Sequence, residues 1–169
     1  NNALGKFCEE CAPSIKEVAT ELGNRLLTVS DYRDFMPGLN IELSPEAPLP
    51  INIIEILNRQ SPLHDVGVLV KESHLLAWIP DNISLNHLSV ALGGQNGRVL
   101  FSDWFTAGQD ALGEVTLKSV GSVGHWALIP DKLPAGTESK GFDASVEALN
   151  QDFPNYSQAD VISFSAALL

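Results

Sequence analysis

Apolar positions recur with a helical period near the start of the chain. Ile15, Val18, Leu22 and Leu26 share one face of a segment opened by Pro13 or Ser14, which predicts a helix from about Pro13 to Leu27, weakened at Gly23. A polar, aromatic link follows at 30–35, fit for one short helical turn, and Pro37-Gly38 closes it. Residues 44–50 contain Pro45, Pro48 and Pro50, so the stretch is an extended or turning connector. Pro50 suits the first position of a second helix over 51–58, with Ile53, Ile54 and Leu57 on its apolar face.

Beyond Ser61-Pro62 the period changes. The β-branched run Val66–Val70 and the run Leu75–Ile79, parted by a polar turn, predict a hairpin. Ser84 is placed to cap a short helix over 85–92 that ends at Gly93-Gly94. Asn96-Gly97 turns into a strand over 98–101. The runs 114–120 and 123–129 flank Gly121-Ser122 and predict a second hairpin. Asp143 caps a helix through Asn150, and Ser157 caps a last one in which Val161, Phe164 and Leu168 share a face. Helices, then strands, then helices again predict an α+β fold. The expected sheet is mostly antiparallel, of about five strands, covered by helices from both ends of the chain.

The 169 residues read as a single domain, long enough to bury a core without a disulfide or metal staple. No run approaches the length of a membrane span. The first residue is Asn, and the last residues stop inside an apolar helical pattern, so the chain reads as a piece of a longer protein. The formal net charge of −11, with its 10 Lys and Arg scattered, argues against binding nucleic acid or an anionic membrane. Cys8 and Cys11 form a Cys-x-x-Cys. Glu9 and Glu10 between them disfavour a redox thiolate, and a zinc site would draw on distant histidines, leaving two ordinary thiols as the simplest reading.

One internal echo stands out. His74-Leu75-Leu76-Ala77-Trp78-Ile79-Pro80-Asp81 resembles His125-Trp126-Ala127-Leu128-Ile129-Pro130-Asp131. Each is a His, an apolar strand with a Trp, and a proline that stops the ladder. If the two strands are neighbours, His74 and His125 stand at equivalent strand starts, where two imidazoles would bind a metal or act as acid and base. His64-Asp65 is a further His/Asp pair, without the additional ligands a metal-dependent phosphohydrolase needs. Neither a Gly-x-Ser-x-Gly nor a phosphate loop is found; Gly93–Gly97 ends a helix where a phosphate loop would open one. Trp78, Trp104 and Trp126 would make an aromatic binding wall, or else belong to the core.

Two resemblances bear on function. Leu43-Ser44-Pro45-Glu46 with Ser61-Pro62-Leu63-His64-Asp65 resembles the segment leading to the nucleotide site of diadenylate cyclases. That family continues with Gly-Ala, where this chain has Val66-Gly67, and it carries an Arg-His-Arg motif absent here, so cyclase activity is rejected and nucleotide binding alone stays open. A longer pattern over 48–140 combines Leu49-Pro50, Asn52-Ile53 and Glu55-Ile56-Leu57 with His74-Leu75-Leu76, Ile79-Pro80, His125-Trp126-Ala127-Leu128 and a Gly136–Lys140 loop. It is similar to uncharacterised domains in proteins of chlamydia-related, host-associated bacteria. That resemblance implies a host-associated interaction or effector-like module. The accompanying expectations are a protein partner, no cofactor and a soluble chain, either cytoplasmic or secreted into a host.

Two function classes follow. A binding module predicts a sheet face or groove lined by Trp and aliphatic side chains and no converging polar cluster. A small hydrolase or metal-dependent enzyme predicts that at least two of His64, His74 and His125 converge with Asp65 or Asp131 in one pocket.

Overall fold

The computed structural model describes residues 12–37, 41–84, 87–88, 123–137 and 141–156. In chain order the elements are helix α1 (Ile15–Leu22), a 3-10 turn (Gly23–Arg25), strand β1 (Leu26–Leu27), α2 (Val29–Phe35), α3 (Ile53–Leu57), α4 (Val70–Ser73), β2 (His74–Ile79), β3 (His125–Pro130) and α5 (Phe142–Asp152). Cys8, Cys11 and Trp104 lie outside the described residues, as do the strands expected at 98–101 and 114–120, the Gly93–Gly97 turn and the helix expected after Ser157.

Local chemistry sets most of the boundaries. Ser14 caps α1: its hydroxyl accepts from the Glu17 amide, and the Glu17 carboxylate accepts from the Ser14 amide at 2.7 Å. Gly23 ends the helix at φ 58°, a backbone that a side chain resists, and its N–H reaches the Ala19 carbonyl. The expected helix therefore stops short, and Leu26-Leu27 is released to become a strand. At α2 the Asp31 carboxylate reaches back in the same way, accepting from the Thr28 amide at 2.6 Å and from its hydroxyl at 2.7 Å. That cap extends the polar link into a seven-residue helix.

The sheet overturns the expectation of about five mostly antiparallel strands. Among the described residues it has three, in the order β1-β2-β3, and it is mixed. β1 runs parallel to β2, with Leu26 opposite Leu76 and Leu27 opposite Ala77. β3 runs antiparallel to β2 in unbroken register from His74↔Pro130 to Ile79↔His125. The hairpin expected between 66–70 and 75–79 does not form. Val66 is 98% exposed and Gly67 sits at φ 106°, so the run has neither the burial nor the backbone of a strand. Its end coils into α4, where the Glu72 carboxylate accepts from the Leu69 amide at 2.7 Å. Residues 59–70 close on themselves as a loop: Val70 N–H bonds the Arg59 carbonyl, Ser61 N–H bonds the Val68 carbonyl, and the Gln60 amide fills the middle.

β2 is the centre of the core. Leu76 joins Val18, Leu22, Leu49, Ile53, Leu57 and Val70, a cluster supplied mainly by α1, α3 and α4. Ala77, Trp78 and Ile79 join a second cluster with Leu27, Val29, Tyr32, Met36, Leu43, Ile83 and Leu88. Burial on both sides explains why β2 reads as a continuous apolar run instead of an alternating one. Trp78 and Trp126 stand opposite each other, edge to face, with ring centroids 5.4 Å apart. Their indole N–H groups donate to the Ser44 carbonyl at 3.2 Å and the Ala47 carbonyl at 2.8 Å, pinning the proline-rich connector across the strand ends.

Gly124 leads into β3 with its backbone against the Trp78 ring; a Cβ there would stand 2.7 Å from Cζ2. Because Trp78 is buried and hydrogen-bonded, it has nowhere to go. Gly124→Ala should lower the unfolding free energy by about 1–3 kcal/mol, read as a reduced urea midpoint; an unchanged midpoint would mean that the ring does not press on this backbone.

Candidate functional site

The antiparallel register decides the fate of the two strand-start histidines. His74 faces Pro130, and His125 faces Ile79, so the two imidazoles lie at opposite ends of the strand pair, roughly 17 Å apart at the usual rise. His125 is exposed, and its Nδ1 lies 3.1 Å from the Val123 carbonyl. Asp65 is exposed too, while His64 beside it turns inward. Trp78 is core, and Trp126 is half-buried on the connector. Among the described residues no group of three His, Cys, Asp or Glu is arranged to hold a metal ion.

What converges is His64 and His74, both near Asp131. The ladder carries Asp131 to this end, its amide donating to the Ser73 carbonyl at 2.9 Å just beyond the His74↔Pro130 pair. The 59–70 loop brings in Ser61 and His64, and the turn before β1 brings in Arg25. His64 Nε2 lies 3.0 Å from Asp131 Oδ1, and Arg25 lies 3.9 Å from Oδ2. On the other side of the ring, Ser61 Oγ is 2.9 Å from Nδ1 and accepts from the Leu63 amide. Partners fix the direction of the neutral relay: Ser61 O–H donates to Nδ1, and Nε2–H donates to the carboxylate.

His74 heads a parallel relay. Ser73 Oγ donates to the Leu69 carbonyl at 2.9 Å, so it accepts from His74 Nδ1–H, also at 2.9 Å. That leaves Nε2 to accept from the Tyr156 hydroxyl at 2.9 Å. His74 is 1% exposed. Burial holds its pKa below the ordinary imidazole value; Asp131 and the Val70 carbonyl pull it up, while His64 and Arg25 push it down. Burial also raises the Tyr156 pKa, so the phenol keeps the proton it donates.

Ser61, His64 and Asp131 have the connectivity of a hydrolytic relay, with the two ring nitrogens exchanged, but the exposures are inverted. A nucleophilic serine must face substrate while its carboxylate stays out of water. Here Ser61 is 1% exposed and the Asp131 side chain 43%. The depression of about 540 Å³ along α5 is lined by Asp143, Val146, Glu147, Asn150 and Gln151, and none of these relay residues borders it.

Ser61, Ser73, Arg25 and Tyr156 escaped the sequence reading. The Ser61-x-x-His64 spacing, which a turn closes, and the Ser73-His74 adjacency were the available signals; nothing local announces Arg25 or Tyr156. No protein-family model matches the chain, and no curated protein and no solved structure matches it.

The unfolded chain protonates His74 near pH 6.5, while the folded chain does so only at lower pH. Between those values the unfolded state binds more protons, so stability falls as pH drops through about 6.5. Urea midpoints taken stepwise from about pH 8 to about pH 5 should decline across that window, and His74→Gln should flatten the decline. A wild-type midpoint that stays level there would show that His74 is not held neutral by burial.

Proposed function

We propose that the chain is a non-enzymatic protein-interaction module that engages its partner through the β3 side of the sheet. The observation that carries this reading is the contrast between two strands in one register. Five of the six residues of β2 are buried and none of the six in β3 is. β3 nevertheless presents Trp126, Leu128 and Ile129, and its flanks carry Val123 at 70% and Leu133 at 64% exposure. Apolar side chains that the core covers only in part, flanked by exposed ones, are what a protein partner covers. The reading agrees with the resemblance over 48–140 to domains of host-associated bacteria, which implies an effector-like setting. Among the described residues no helix is long and apolar enough to cross a membrane.

The converging polar cluster favours a second reading, a small hydrolase built on Ser61, His64 and Asp131. Access supports the first reading: the hydroxyl that would attack is buried, and the apolar strand is covered only in part.

A photo-crosslinking residue placed at Leu133 or Val123 should capture one discrete protein from host-cell extract. Capture should exceed that from the same residue placed at Ile15 by about tenfold, compete with excess unmodified chain, and weaken in Leu133→Glu. Equal capture from all positions would count against β3 as the binding side. Turnover of a simple aryl ester that disappears in both Ser61→Ala and His64→Gln, with circular dichroism unchanged, would displace binding in favour of hydrolysis.

A further inference from the structure

The proline connector between α2 and α3 has a period of its own. Along residues 42–50 the burial repeats every third position. Leu43 and Leu49 are buried, and Glu46 between them is half-buried, its carboxylate accepting from the Val29 amide at 2.7 Å. Glu42, Pro45 and Pro48 make a second row, all exposed, and Ala47 and Pro50 are exposed on a third. The carbonyls that receive the two indole N–H groups, Ser44 and Ala47, are again three apart. A strand would turn every second side chain to one face, yet Pro45 and Ala47 are exposed between buried Leu43 and Leu49. A repeat of about three residues is that of polyproline II, which makes no hydrogen bonds within itself. Among the described residues, none of 42–49 takes part in a backbone–backbone hydrogen bond. We propose that residues 42–50 are a preformed polyproline II ligand, which docks its two outward rows in the aromatic-lined groove of a partner protein domain.

Shape, order and charge favour this occupant. A polyproline II segment is three-sided, so one row can rest on its own protein while the other two enter a groove that recognises proline. Here the inward row is anchored at both ends, Leu43 in one apolar cluster and Leu49 in the other. Glu46 ties its middle to the start of α2, and Trp78 and Trp126 hold two of its carbonyls. A partner therefore meets a segment already ordered, and little conformational entropy is lost on docking. Charge sets the sign of the groove. No Lys or Arg falls between Arg33 and Arg59, whereas Asp34, Glu42, Glu46 and Glu55 do, in a chain of formal net charge −11. An acidic rim would be repelled, and a basic one drawn in. The connector adjoins β3 through the Trp126 bond to Ala47, but this contact does not rest on what β3 binds.

Calorimetric titration of the 169-residue chain with purified WW domains, whose grooves are aromatic and recognise proline, tests the proposal. Domains with a basic groove rim should bind about tenfold more tightly than domains with an acidic one. Pro45→Ala and Pro48→Ala, both on an exposed row, should each weaken binding about tenfold, with circular dichroism unchanged. Pro62→Ala removes an exposed proline outside the connector, and Leu133→Glu alters the β3 flank; each should shift affinity by less than about twofold. No binding to any domain of the panel overturns the proposal, and so does binding indifferent to Pro45 and Pro48. Binding lost in Leu133→Glu and kept in both proline variants would move the contact to the β3 side and overturn it as well.

Discussion

The backbone of β2 is buried along both faces, and a buried strand must have its N–H and C=O groups bonded to neighbouring strands on either side. Six residues of β3 do this on one edge and two residues of β1 on the other. Most of the molecule follows from that requirement. α1 must end at Gly23 so that Leu26-Leu27 can reach β2. The 44–50 connector must cross the strand ends, where its prolines cannot pair with a sheet but its carbonyls can receive two indole N–H groups. Trp78 is thus committed inward, and the half-buried Trp126 beside it also holds a segment with no α-helix or strand of its own.

The same pairing builds the polar cluster. An antiparallel ladder that starts at His74↔Pro130 delivers Asp131 beside His74 and removes His125 to the far end. Had the echoing strands run parallel, the two histidines would have met. The cluster that forms instead is two neighbouring relays, one ending on the Asp131 carboxylate and the other on the Leu69 carbonyl. Its buried members are Ser61, Ser73 and His74 and its wet member is Asp131, which is a good arrangement for joining chain segments and a poor one for reaching substrate.

How much of this was legible differs residue by residue. The cap at Ser14 and the extended proline connector were legible because they are local effects, whereas Gly23 marked only a weak point in the helix and Thr28 gave no signal that was read. Val66–Val70 misled because β-branched composition resembles a strand whether or not a partner strand exists. With Gly67 in a left-handed conformation and Val66 in water, pairing gave way to a loop and a single helical turn. Leu26-Leu27 misled in the opposite sense, since two residues cannot announce a strand when the helical period upstream runs straight into them.

By itself the sequence determined the α+β character, the starts of α1 and α3 to within a residue or two, the two apolar strands that echo each other, and the set of histidines and acids from which any site had to be drawn. These depend on periodicity and on hydrogen bonds between near neighbours in the chain. Only the tertiary structure decided that β1 joins β2 in parallel, that the echoing strands pair antiparallel, and that Asp131, His64, His74 and Tyr156 share one end of the sheet. Those outcomes rest on strand direction and register, which depend on segments far apart in the chain burying the same strand, and no window of sequence holds that information.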